Sequence, residues 1–427
     1  MKRLSLRRGF SWTLVGNTYY AVCQWGVLVI IARFTSPEDV GVFALALAIV
    51  TPVFMLTNLQ LRAIQATDAR GEHPTSRYVW LRVITSSVAT LTVMGISFVA
   101  GFSDTARQVV WIMATAKVLE SLSDVLYGRF QQLERLDWVS RSLILRGTTT
   151  LVMTLLVVAL TGHLVAVAAA ITVSNAIALL GHDVLTALRY RVLVRAGTGW
   201  ARTELNGMLH LLRSGLPLGF AMMLSSANTS LPRVVIERIV GERELGLFAA
   251  TAYFVVAGGT IVTALGQAVA PRLSQYYARA EAWKARQLLR RLASSGAAVG
   301  GIGVAVAMTA GPLILTAAYG QDYASEAPLL VWLMIYGAVS YVASAFGFGM
   351  TAARRFLPQL PIAGITLLVT LVLSILLVPR MGAPGAAIAL TASAATQATL
   401  SWYINWRVLA AVGTEAEPAS ASGRGQR

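Results

Sequence analysis

Residues 117–146, KVLESLSDVLYGRFQQLERLDWVSRSLILR, decide how the rest of the chain is read. They continue an apolar run over 109–116, and they place Lys117, Glu120 and Asp124 where a membrane span should be apolar. At i, i+3 and i+7 these side chains share one face of a helix. An ionised group in hydrocarbon is costly, so such a face turns to a bundle interior or a water-filled cavity. The stretch leaves the membrane at Tyr127-Gly128-Arg129 and carries a short basic loop into the next span. A charged face in so apolar a chain implies that something polar is enclosed.

The surrounding composition is that of a polytopic helical membrane protein. Of 427 residues 56% are hydrophobic and 13% charged, and the mean hydropathy is +0.65. Long apolar runs recur over the whole length. The net charge of +16 would suggest nucleic acid in a soluble protein. Here its distribution counts, because cytoplasmic loops collect Lys and Arg. A single cysteine, Cys23, excludes an internal disulfide. The basic start, 1–8, leads into an apolar segment that runs to Ile31, long enough to stay as a span rather than be cleaved as a signal peptide.

Twelve spans are expected, at about 11–32, 39–60, 79–101, 108–127, 144–161, 164–186, 209–232, 245–269, 296–318, 327–350, 357–378 and 382–406. The fifth requires Arg146 to snorkel at its end. This topology puts 28 of the 35 basic residues on the side of the N-terminus and six on the other, with Lys117 inside a span. That asymmetry predicts a multi-pass protein with both termini cytoplasmic.

The chain also repeats itself. VIIARFTSPEDVGVFA at 29–44 aligns without a gap on VVIERIVGERELGLFA at 234–249. Each copy ends a span in Ile-x-Arg, makes a short acidic turn and opens the next helix with Gly-x-Phe-Ala. Six spans per half predict two six-helix lobes related by a parallel pseudo-repeat. The expected domains are an N-terminal lobe at 1–188, a cytoplasmic linker at 189–213, a C-terminal lobe at 214–410 and a disordered tail at 411–427. RLSQYYARAEAWKARQLLRR, 272–291, reads either as a basic amphipathic helix on the membrane surface or as a solvated positive loop.

The opening stretch, with Glu120, Asp124, Gly128, Gln131, Glu134-Arg135 and the run Ser142 to Gly147, resembles bacterial polysaccharide and oligosaccharide flippases. These form the exporter branch of the multidrug/oligosaccharidyl-lipid/polysaccharide exporter superfamily. Residues 33–44 and 215–249 carry the same resemblance, which extends over 1–406. It implies an all-α, two-lobed fold of about twelve helices working by alternating access. It further implies export of a polyprenyl-diphosphate-linked oligosaccharide across the bacterial inner membrane for a surface polysaccharide. Membrane lipids and a polysaccharide polymerase with its co-polymerase are the implied partners. Nucleic acid is not.

Such a substrate joins an anionic diphosphate to hydroxyl-rich sugars and an apolar tail. Arg62, Arg233 and Arg272, each ending a span, are the candidate anion partners, since the arginine fork suits phosphate. Each is also readable as a boundary arginine snorkelling to headgroups. Asn17 and Gln24, seven apart on one helix face, with Asn58, Gln60, Asn228 and Gln267, are the candidate sugar partners; helix–helix hydrogen bonding would explain them too. Lys117, Glu120 and Asp124 are either an internally neutralised structural cluster or a cavity lining in which Glu120 or Asp124 couples transport to a proton or sodium gradient. Pro217, between Gly215 and Gly219, is a candidate kink.

Enzyme readings find little support. No Walker-type phosphate loop is present, and His73, His163, His182 and His210 show no metal spacing, so neither a cofactor nor a catalytic residue is expected. The rival readings are a multidrug cation antiporter of the same superfamily, a glycan polymerase or ligase, and a membrane component without transport. A polymerase would carry a large outer loop, whereas the longest outer connection here is the short one near Arg233 to Glu244.

Overall fold

The computed structural model describes residues 6–68, 73–190, 192, 202–355 and 357–415. In chain order the helices are α1 (Leu6–Phe34), α2 (Pro37–Thr57), α3 (Leu61–Thr67), α4 (Thr75–Val99), α5 (Asp104–Gln132) and α6 (Leu136–Thr161). Next, α7 (Leu164–Ala178) continues through a π turn (Leu179–Val184) into α8 (Leu185–Arg189). Then come α9 (Arg202–Ile239), α10 (Glu242–Ala278), α11 (Ala282–Tyr319), a 3-10 turn (Gln321–Glu326), α12 (Ala327–Ala352), α13 (Gln359–Met381) and α14 (Ala383–Glu415). Every expected span falls on one of these helices or helix runs. Among the described residues ten are long and apolar enough to cross a membrane, and α5 and α14 are not among the ten. α5 carries Lys117, Glu120 and Asp124.

The chain divides into two compact units, 1–230 and 231–427, and the division lies inside α9. The sequence puts the start of the second lobe at 214 and a linker before it. Part of that linker, 191 and 193–201, lies outside the described residues, and from Arg202 onward the chain is already α9. The tail is helical to Glu415, and 416–427 lie outside the described residues. The surface helix suggested for 272–291 is not a separate element. Its start completes α10, the chain turns at Ala280 with φ 56°, and α11 begins at Ala282.

In the first unit α5 is the central helix, touching α2, α3, α4 and α7. The α1–α6 seam is made by small residues that let two backbones approach. A Cβ on Gly16 would stand 2.7 Å from Ser140 Cβ, and one on Gly147 3.1 Å from Cys23. Ser140 Oγ donates to the Trp12 carbonyl across the same seam at 2.7 Å. The first part of α9 closes on the α2–α3 junction in the same way: a Cβ on Gly215 would lie 2.5 Å from the Leu59 carbonyl oxygen. Leu211 joins Leu59, Leu61, Tyr78, Leu81 and Val125 in a buried cluster there.

The second unit is organised around α12, which touches α10, α11 and α14. Tyr341 on α12 donates to the Val255 carbonyl of α10 at 2.6 Å. Gly258 of α10 and Gly296 of α11 leave room for that residue. At one end of the unit, buried Asn405 of α14 donates to the carbonyls of Phe346 and Ser401 at 2.9 and 2.8 Å. Below it lies an apolar cluster of Leu273, Ala285, Leu289, Ala352 and Leu409.

The two aligned joints share a local design. α1 and α9 each end with an arginine, Arg33 and Arg238, in the last turn. α2 and α10 each begin with acidic residues, Glu38-Asp39 and Glu242/Glu244, where the helix dipole favours negative charge. The matched Ile31 and Ile236, Phe43 and Phe248, and Ala44 and Ala249 are all buried.

Candidate functional site

The site begins with a broken helix. α2 stops at Thr57, and Leu59 and Gln60 both take left-handed backbone angles, φ 52° and 51°, before α3 restarts at Leu61. Two consecutive non-glycine residues in that region are uncommon, and such strain collects at functional sites. Irregular backbone at membrane depth must find internal hydrogen-bond partners, and here it does. The amides of Asn58, Leu59, Leu61 and Ala63 donate to the carbonyls of Phe54, Leu56, Asn58 and Gln60 at 2.8 to 3.2 Å. The break presents Asn58, Gln60 and Arg62 to a cavity of about 530 Å³ in the first unit. That volume lies in the usual range for a ligand site.

Opposite the break, α5 contributes Lys117, Glu120, Ser121, Asp124, Tyr127 and Gln131. α1 supplies Asn17 and Tyr20, α6 supplies Leu143 and Arg146, and Met222 comes from α9. Lys117 Nζ donates to Glu120 at 2.8 Å along one helix turn. Asp124 sits between two arginines. Arg62 Nη1 approaches one of its carboxylate oxygens at 3.2 Å and Arg82 Nη2 the other at 3.3 Å. Arg62 Nε also donates to Gln131 at 3.2 Å, and its guanidinium lies 5.3 Å from the Tyr127 ring centroid. Arg82 has no exposed surface and makes a short hydrogen bond to Asn58 Oδ1, which also accepts from Ser121 at 3.0 Å. The backbone break is thus tied to the charged face of α5 by an ion-pair and amide network.

Arg146 is placed differently. It is 2% exposed, yet it lines the cavity. Its carboxylate partner is Asp183, itself fully buried, at 3.9 Å, and no hydrogen bond closes that gap. Asp183 lies in the π turn after α7, beside His182, whose Nδ1 is 3.1 Å from Asp183 Oδ1. A π turn admits an extra residue into the helix and re-aims the side chains near it.

Seven of the twelve sequence candidates meet at this cavity: Asn17, Asn58, Gln60, Arg62, Lys117, Glu120 and Asp124. Gln24 is on α1 but not in the lining. Asn228, Gln267, Arg233 and Arg272 do not line it either. Gln267 and Arg272 are exposed, while Arg233 lies within electrostatic reach of Tyr253 and Tyr336 in the second unit. Arg82 and Arg146 are not among the twelve, because the expected topology makes them loop and boundary cations. Each is instead turned inward onto a carboxylate. Two of the histidines also come together, with the rings of His73 and His210 5.7 Å apart and Arg77 donating to His73 at 2.7 Å.

Comparison with known proteins places the chain in a family. A family model described as polysaccharide biosynthesis protein matches residues 6–277. The capsular polysaccharide biosynthesis protein CapF of Staphylococcus aureus is 25% identical over 403 residues, covering 93% of this chain and 98% of that protein. Among solved structures, an inward-facing multidrug resistance MATE family transporter aligns with a TM-score of 0.70 at 13% identity, covering 95% of this chain and 99% of the other. The lipid II flippase MurJ, in an inward closed conformation, aligns at 0.68 and 13% identity, covering 94% and 90%. The matched structures show the fold and belong to transporters and a flippase, not to enzymes.

Proposed function

The chain belongs to the polysaccharide biosynthesis protein family, and on that premise we propose that it flips a polyprenyl-diphosphate-linked oligosaccharide across the bacterial inner membrane by alternating access. The observation that carries this reading is the cavity of about 530 Å³ among the spans, lined by Arg62, Lys117 and Arg146 against Glu120 and Asp124. A net positive, hydrogen-bonding chamber at membrane depth matches an anionic diphosphate with sugars attached. Its volume suits the headgroup end of such a molecule, leaving the polyprenyl tail to lipid. Asn17, Asn58 and Gln60 carry amides that pair with sugar hydroxyls. Both termini then face the cytoplasm, and a polymerase with its co-polymerase takes the product on the outer side.

Coupling to a proton or sodium gradient is part of the proposal, and Glu120 is the better of its two carboxylates. Both line the cavity, but Asp124 is held by two arginines, whereas Glu120 pairs with one lysine on its own helix. The test is a strain lacking the protein, with surface glycan and membrane lipid extracts measured together. Loss of the glycan with accumulation of lipid-linked units on the inner leaflet, both reversed by complementation, is the expected result. Units that reach the outer leaflet unpolymerised would point to a polymerase. Unchanged glycan with new sensitivity to cationic drugs would point to a drug antiporter.

A further inference from the structure

The cavity cations differ in what they are already bound to. Lys117 is spent on Glu120 at 2.8 Å. Arg62 is committed through Nε and Nη1 to Gln131 and Asp124. Arg82 is sealed behind the wall. Arg82 Nε and Arg146 Nε and Nη2 are all buried without a hydrogen bond, and of these two arginines Arg146 is the one that lines the cavity. An unsatisfied buried donor is costly, more so on a charged group. Around it stand the Tyr20 hydroxyl from α1, Glu120 and Tyr127 from α5, and Asp183. Asp183 Oδ2 likewise has no hydrogen-bond partner and stops 3.9 Å from Arg146 Nη2. A well-formed arginine–carboxylate pair closes to about 2.7–2.9 Å. The carboxylate's place is fixed by the π turn, and His182 holds its other oxygen at 3.1 Å.

We propose that Arg146 is the main cation for the substrate's diphosphate and that Asp183 is its latch: a positioning residue that holds the guanidinium in place and competes with the diphosphate for its charge. This rests on the diphosphate reading of the cavity. The pair is loose, so an incoming diphosphate can draw the guanidinium away without breaking a hydrogen bond to Asp183. Once the diphosphate has left, Asp183 takes the guanidinium back. The carboxylate therefore sets how tightly the cavity grips its anion and how readily it lets go, which a transporter needs in equal measure.

The test is calorimetric binding of farnesyl diphosphate, and separately of inorganic pyrophosphate, to the full chain in phosphatidylcholine nanodiscs. Wild-type protein is expected to bind both. Arg146→Gln weakens binding at least tenfold, more than Arg62→Gln, and Arg146→Lys recovers part of the loss. Asp183→Asn removes the competitor and tightens binding severalfold. Asp183→Glu, one methylene longer, closes the gap and weakens it. Asp183→Asn added to Arg146→Gln changes nothing. A merely structural aspartate gives no tightening. Unchanged dissociation constants in both Asp183 variants, or a larger loss in Arg62→Gln than in Arg146→Gln, overturn the latch and leave the transport reading standing. Folded wild-type and Asp183→Asn proteins that bind neither probe sink the diphosphate reading itself. If Asp183→Asn does not fold, the sign of the Asp183→Glu effect decides.

Discussion

Arg82 Nη2 stands 3.3 Å from Asp124 Oδ2, at the end of a side chain with no exposed surface. The arginine is inside because the aspartate is there to meet it. Removing one partner of a buried pair leaves a charge without compensation, at a cost of about 3–5 kcal/mol. Asp124→Asn is therefore expected to lower the thermal unfolding midpoint of the detergent-solubilised protein sharply. Replacing both residues, Arg82→Met with Asp124→Leu, should recover much of the loss. A single variant that melts with the wild type would remove the pair from the account of stability.

Glu120 tests a different property. Its partner Lys117 is on the same helix and both line the cavity. Glu120→Gln should leave the protein folded and able to bind its substrate while uncoupling export from the ion gradient. The measurement is export by inverted vesicles before and after the gradient is collapsed. A variant that still exports, and still stops when the gradient is removed, carries no coupling role at this residue.

Gly128 lets α5 and α3 approach. A Cβ there would stand 2.5 Å from Gln65 Oε1 and 3.2 Å from the Arg62 backbone. The Gln65 amide can swing aside, but the backbone of the cavity-lining arginine cannot. Gly128→Ala is expected to cost on the order of 1 kcal/mol, and Gly128→Val about 3, as overpacking does. Both should reduce export in step with the displacement of Arg62. Equal stability of the alanine and valine variants would show that α3 yields freely.

Asn405 is the corresponding probe in the second unit. It is buried and donates to two carbonyls, Phe346 and Ser401. Asn405→Leu keeps the volume and leaves the Phe346 carbonyl without that donor. A loss of about 1–3 kcal/mol is expected, seen as faster amide exchange at the ends of α12 and α14. Exchange unchanged at both ends would mean that another donor replaces the amide.

Long-range apolar patterning made the helices readable in advance, because a span must satisfy its own backbone whatever surrounds it. The charged face of α5 was readable for a related reason: the cost of Lys117, Glu120 and Asp124 in hydrocarbon announces a polar interior. Rotation about each helix axis was not readable. Asn17 and Gln24 occupy one face of α1, yet only Asn17 lines the cavity, because the α1–α6 seam of Gly16, Cys23 and Gly147 sets where that face points. Arg82 and Arg146 read as boundary cations because their partners, Asp124 and Asp183, are distant in sequence. The π turn that positions Asp183 has no signature in LLGHDV that would separate it from an ordinary helical turn.

The continuity of α9 through the division at Ser230 and Leu231 has a consequence for anyone wishing to make the protein as two separate polypeptides. A gene cut at that boundary severs a helix and strips its broken ends of their amide and carbonyl partners inside hydrocarbon, where water cannot replace them. A cut before Arg202 spares the helix but sends Leu211, Gly215 and Gly219 off with the downstream product. The upstream product then lacks the surface that covers Leu59 and must borrow it from its companion. Neither fragment is self-sufficient, so co-expression, rather than separate preparation and mixing, is the arrangement under which a bisected version should assemble.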